Sequence, residues 1–222
     1  MTAPTLLSRH KMFNGSQERY CCVSPSMQRE MVFSLYLPPQ ALQGYAVPAL
    51  YWLPDSQQTD EVFVQQSGAQ RFAAHWGLAL IALNTAISSE QDFTSYIVHE
   101  LPAWVEQHFP ISNQRCLLGQ GTGGYDALQI ALNHSHQYAA VSAFCPPANS
   151  AWVKPLSHSL PILIDDASLH TSDEAAQSLL YAARAAGLSV QYHRRSGYDN
   201  SHYFIASFID SHIEFHADAL DL

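Results

Sequence analysis

Short apolar runs alternate with stretches of helical spacing along most of the chain. Residues 31–37 alternate as a strand does, and Pro38-Pro39 stops them because proline offers no ladder donor. Residues 48–53 read as an apolar strand ended by Pro54-Asp55-Ser56. Residues 61–76 carry apolar side chains at helical spacing as far as Gly77, a natural C-terminal stop. Residues 78–83 are apolar without a break, as in a parallel strand covered on both faces. The pattern then predicts a helix over 92–109 with a kink at Pro102, a strand over 115–118, a helix to Asn133, and strands over 139–144 and 161–164. A helix over 172–186 follows, with Ser172 as N-cap and Gly187 as stop, then a strand over 188–193 and a helix over 203–219. Such alternation predicts an α/β fold: a mostly parallel, twisted sheet with helices on both faces, in one domain. Residues 18–222 make up that domain, and residues 1–17 read as an N-terminal extension.

The sharpest local signal is Gly119-Gln120-Gly121-Thr122-Gly123-Gly124, between a predicted strand and a predicted helix. Strand, Gly-rich turn and helix in that order form a nucleophile elbow, whose pattern G-x-S-x-G lifts a serine above the sheet. Here the central residue is Gly121, which has no side chain and cannot form an acyl-enzyme. The run also matches G-x-G-x-x-G. It sits midway along the chain, however, and residues 139–145 offer no acid for a ribose, so no nucleotide cofactor is expected.

Composition narrows the partners. A chain of 222 residues with 47% apolar and 13% charged side chains suits one globular α/β domain. The net charge of −9, with no long run of either sign, argues against nucleic acid and anionic membranes. Arg194-Arg195, the one basic doublet, reads as a solvated strand edge. No segment has signal-peptide or bilayer-spanning character, so a cytoplasmic location is expected. Four cysteines make no disulfide framework; Cys21 and Cys22 are neighbours, and Cys116 and Cys145 fall in core strands. Twelve histidines invite a metal, but His134-x-His136 is the one close pair, and His212 and His216 lack the H-E-x-x-H pattern. A mixed His170–His202 site is the best metal candidate, and no metal is expected.

Several segments resemble S-formylglutathione hydrolase, or esterase D, of the α/β-hydrolase fold. They are Tyr36-Leu37-Pro38-Pro39, Val47-Pro48-Ala49-Leu50-Tyr51-Trp52-Leu53, Ser67-Gly68-Ala69-Gln70-Arg71, Glu100-Leu101-Pro102-Ala103, Val141-Ser142-Ala143-Phe144, Gly197-Tyr198-Asp199 and Tyr203-Phe204-Ile205-Ala206-Ser207-Phe208-Ile209, in unbroken order. The resemblance implies that fold as a single domain with shortened loops, residues 86–91 and 146–160 being what remains of two long pocket-walling loops. It also implies a serine hydrolase that cleaves S-formylglutathione to glutathione and formate, with a triad in the chain order Ser, Asp, His. The family elbow resembles G-H-S-M-G-G, which puts Gly121 at the nucleophile. The motif D-Q-G-x-x-D, starting at Asp165, puts His170 at the acid, and G-Y-D-H-S puts Asn200 at the base. The stretch W-L-S-G-L-T-C-T corresponds to residues 52–59. It puts one oxyanion-hole amide on Ser56 and the other on Thr122, with the charge of Asp55 close by.

None of residues 121, 170 and 200 can fill its triad role, so a non-catalytic pseudoenzyme acting in binding or interaction is expected. The alternative is a carboxylesterase or thioesterase whose site is rebuilt around Thr122 and His202. A third reading is a small-molecule binder using the former pocket, and the resemblance implies a homodimer. Gly197-Tyr198-Asp199 reads as turn chemistry that the fold itself requires.

Overall fold

Parallel strands buried on both faces form the centre of the computed structural model, which describes residues 4–56, 58–84, 90–156 and 158–222. Gln57 and most of the expected loop remnant at 86–91 lie outside the described residues. Nine strands make one sheet among these residues: β1 (Thr5–Met12), β2 (Gly15–Ser24), β3 (Arg29–Leu37), β4 (Val47–Leu53), β5 (Ala79–Leu83), β6 (Ile111–Gln120), β7 (Ala140–Phe144), β8 (Ile162–Ala167) and β9 (Val190–Arg195). Their order is β1-β2-β3-β5-β4-β6-β7-β8-β9. Strands β1, β2 and β3 pair antiparallel, β3 joins β5 antiparallel, and the rest of the sheet is parallel.

The apolar runs are continuous because alternate residues enter two different cores. Ala49, Tyr51 and Leu53 of β4 pack on one face with Leu101 and Val105 of α5 (Leu101–His108) and Leu128 of α6 (Gly121–Asn133). Leu50 and Trp52 pack on the other with Phe63 of α2 (Asp60–Gln66), Ala73 of α3 (Ala69–Trp76) and Ile209 of α8 (His202–Ala219). Helix α7 (Asp173–Ala185) covers the first face, and its N-cap Ser172 accepts from the Ala175 amide at 3.2 Å. All four cysteines are free, and burial pushes Cys116 and Cys145 up to about 12, far from nucleophilic.

Four features differ from the expectations. The segment expected as an extension is part of the sheet: Thr5–Met12 is β1, and residues 15–17 open β2. The apolar/polar pattern conceals β2 because polar residues face its interior. Glu18 is buried there, accepting from Ser16 Oγ at 2.7 Å, from Arg9 Nε at 2.8 Å and from the Tyr20 hydroxyl. The helix expected over 61–76 is two helices, because Gly68 between them has φ +71° and cannot continue an α-helix. Pro102 marks no simple kink. A π-helical turn at Tyr96–Glu100 joins α4 (Glu90–Ser95) to α5, and Pro102 falls in the first turn of α5, where its missing N–H matters little. Finally, the strand expected over 115–118 runs the whole of β6.

Candidate functional site

The parallel register gathers the loops of interest at one edge. Leu53 of β4 pairs with Gly119 of β6, Gln120 with Phe144 of β7, Phe144 with Asp165 of β8, and Asp165 with His193 of β9. The segments that follow these strands therefore share the carboxyl edge of the sheet, where open α/β sheets place their sites. They carry Asp55 and Ser56, Gly121 and Thr122, His170, and Asn200. At the elbow β6 turns into α6 through Gly121, whose φ is +53°. The approach is close enough that a Cβ on Gly123 would lie 2.2 Å from the Pro54 carbonyl oxygen.

Asp55 engages the two amides that the resemblance assigns to an oxyanion hole. Its Oδ1 accepts from the Ser56 amide at 2.8 Å and from the Thr122 amide at 3.2 Å, the two donors expected to form an oxyanion hole. The same oxygen accepts from Thr122 Oγ1 at 2.7 Å, and Thr122 Oγ1 in turn accepts from the Ser56 amide at 3.1 Å. A carboxylate at the start of a 13-residue helix also meets the favourable end of its dipole. The carboxylate crowds the nucleophile position too. A Cβ built on Gly121 would be 2.6 Å from Asp55 Cγ and 2.7 Å from Oδ2. Sequence reasoning placed the charge of Asp55 nearby but missed that it engages both amides.

Asn200 does reach the elbow. Buried Gln120, the residue before Gly121, donates through Nε2 to Asn200 Oδ1 at 3.0 Å and to its carbonyl oxygen at 3.3 Å. His170 does not. It is exposed on the turn after β8, and no hydrogen bond or ion pair joins it to Asn200 or to the elbow among the described residues. The two loops still touch, since the Leu169 amide donates to the Tyr198 carbonyl at 3.1 Å and the Gly197 amide to Ser168 Oγ at 2.9 Å. Gly197 takes φ +82° and Tyr198 packs on Phe204 and Phe208, as the turn reading of that segment expects.

The rebuilt pair is not assembled. The Thr122 hydroxyl donates to Asp55, and the His202 ring rests against Tyr203 with centroids 4.0 Å apart. No hydrogen bond links Thr122 to His202 among the described residues. No group of three or more His, Cys, Asp or Glu there could hold a metal ion. The Arg194-Arg195 doublet is not a merely solvated edge. Arg194 donates to the carbonyls of Ser168 and Thr171, pinning the loop that carries His170, and Arg195 pairs with buried Asp165 at 2.9 Å. Asp165 lies inside the sheet because strand alternation points it at α8 and not at the site edge.

Comparison with known proteins agrees with this fold. A family model described as "Putative esterase" matches residues 62–215. S-formylglutathione hydrolase of Arabidopsis thaliana is 30% identical, the match covering 96% of this chain and 96% of that protein. The alignment runs over 273 positions, more than this chain has residues, so the relative carries insertions that are absent here. Among solved structures, an S-formylglutathione hydrolase from Agrobacterium tumefaciens superposes with TM-score 0.87 at 22% identity, covering 97% of this chain and 99% of that one. A fluorophosphonate-binding serine hydrolase from Staphylococcus aureus gives TM-score 0.79 at 14% identity, covering 91% and 98%. The two structures share the fold: an α/β-hydrolase sheet in a single domain. The matched stretch spans well over half of the sequence and includes the elbow, and the plant relative extends the likeness to both ends. This chain therefore belongs to the esterase family, with S-formylglutathione hydrolases among its relatives.

Proposed function

We propose that this chain is a non-hydrolytic member of the esterase family that acts by binding. The observation that carries the reading is the Asp55 carboxylate on the Ser56 and Thr122 amides, at 2.8 and 3.2 Å, beside a residue 121 that has no hydroxyl. An oxyanion hole works by offering unengaged donors where negative charge develops. Here those donors already hold a negative charge, and a substrate carbonyl would have to displace it. Position 170 carries an exposed histidine where the resemblance calls for an acid, and position 200 carries an amide where it calls for a base. The ligand we propose is a small molecule at the carboxyl edge of the sheet. A ligand that binds the folded chain raises its melting temperature, so a thermal-shift series with glutathione and its thioesters tests this part.

The alternative is a residual carboxylesterase or thioesterase, and the hydrolase names of the relatives favour it. It would need Thr122 as nucleophile and His202 as base, a pair whose hydrogen bond is missing. The deciding assay uses purified chain with S-formylglutathione and p-nitrophenyl acetate, followed by labelling with a fluorophosphonate probe. Turnover at the blank rate and no labelling are expected. Turnover well above blank that disappears in Thr122→Ala or His202→Ala would establish the esterase instead.

A further inference from the structure

Helix α8 meets the sheet through two histidines that share one serine. His212 and His216 stand four residues apart on the inner face of the helix, and neither is exposed. Ser142 Oγ of β7 lies 2.8 Å from His212 Nδ1 and 2.8 Å from His216 Nε2. A single hydroxyl proton means that Ser142 donates to one ring and accepts from the other. Asp165 sets the direction. Its Oδ2 lies 4.0 Å from His212 Nε2, beyond hydrogen-bond reach, and the carboxylate favours the ring proton on that side, which leaves Nδ1 to accept from Ser142. His216 then donates through Nε2, and its Nδ1 has no hydrogen-bond partner among the described residues. His212 Nε2 has none either, and the Ser142 hydroxyl keeps both of its hydrogen bonds when both rings are neutral.

The surrounding elements oppose a charge on either ring. Phe144 of β7 stacks on His212 with centroids 3.8 Å apart. Asp165 of β8 is already held by His193 and Arg195 of β9, at 2.8 and 2.9 Å, so two basic groups compete for the carboxylate. Burial, and after it His216, Arg195 and His193, push His212 well below the usual imidazole range. Burial pushes His216 down to about 3. Helices α2 and α3 also pack on α8, and no charged group of theirs shifts either ring.

We propose that the Ser142–His212–His216 cluster is an acid-sensitive latch that clamps α8 to the sheet when its rings are neutral and frees α8 ahead of the rest of the fold when they take up protons. The charge penalty is confined to the interface between α8 and the sheet, so opening that interface alone relieves it. The helix starts two residues after Asn200, so its release also removes one wall of the candidate site. The latch stands whether or not the site hydrolyses anything.

Amide hydrogen exchange of the full chain, corrected for intrinsic rates and read by mass spectrometry, tests the latch between pH 7.5 and 5.5. Two rings that are neutral when docked and ordinary when released raise the opening constant of α8 roughly hundredfold over that range. The amides of β4 and β6 respond far less. Equal acceleration in α8, β4 and β6, or a rise in α8 below about threefold, which is less than one such ring provides, overturns the proposal. A His212→Asn, His216→Gln double variant keeps an acceptor and a donor for Ser142 and removes both titrations. Its α8 exchange is expected to be flat, and a response equal to that of the unaltered chain counts against the latch. If the double variant does not fold, ring-proton NMR of the unaltered chain decides. Both rings must stay unprotonated while α8 is protected, and a His212 or His216 signal that titrates near the ordinary value with α8 still protected overturns the idea.

Discussion

Two independent constraints act on residue 121. Its φ of +53° lies in the left-handed region, and an added Cβ would meet Asp55 Cγ at 2.6 Å. Gly121→Ser is therefore expected to lose about 1–3 kcal/mol in urea unfolding and to leave ester and thioester turnover at blank. Turnover gained from that change alone would mean that base and acid lie elsewhere than Asn200 and His170. Asp55→Ala should lose about 1–2 kcal/mol, because two backbone amides and the Thr122 hydroxyl lose a charged acceptor. Added formate should recover part of it, since a small anion can take the same amides. Unchanged stability without formate would remove Asp55 from the argument. With both substitutions in one chain, the loss should be smaller than the sum, because the serine clashes with the carboxylate that alanine removes. The elbow itself was legible, because a glycine-rich turn between a strand and a helix is a property of the local chain. That Asp55 would hold both amides was not, because it depends on the register that sets Leu53 beside Gly119.

At the scale of elements, periodicity located most strands and helices, and it failed where one residue or the polarity of a face decides the outcome. Apolar spacing runs through residues 61–76 without a pause, yet Gly68 at φ +71° divides the helix. An added Cβ there meets nothing within 4 Å. Gly68→Ala should thus lose about 1 kcal/mol from backbone strain alone. A loss of several kcal/mol in chemical denaturation would point to a packing role instead. Strand β2 was illegible for the opposite reason. Buried Ser16, Gln17 and Glu18 look solvent-exposed in sequence, and they are tolerated because neighbouring strands bring hydrogen-bonding partners. Asp60 of α2 follows the same logic. It is fully buried, held by Arg19 through bonds of 2.8 and 3.0 Å and by Ser34 at 2.6 Å.

Across the whole molecule, the two buried histidines tie stability to acidity. Above the ordinary imidazole range both rings are neutral, folded or unfolded, and their contribution is fully present. Below about pH 6.5 the unfolded chain takes up protons that the folded chain resists. The contribution is then lost progressively as pH falls toward the folded value, about 3 for His216. Urea unfolding at successive pH values should show stability dropping by up to ~1.4 kcal/mol per pH unit for each ring. A flat profile from pH 7.5 to 5 would contradict the burial of the pair. The sequence by itself determined most strands and helices from residue 31 onward, the elbow and the absence of a nucleophilic side chain at residue 121. These follow from local periodicity, from glycine's conformational freedom and from residue identity at one position. Only the tertiary structure decided that Asp55 engages the elbow's amides, that Ser142 serves two histidines on a distant helix, and that polar β1 and β2 complete the sheet. The first two join residues far apart in the chain, and the third needs neighbouring strands to supply partners for polar residues that water would otherwise serve, so none of them follows from local pattern.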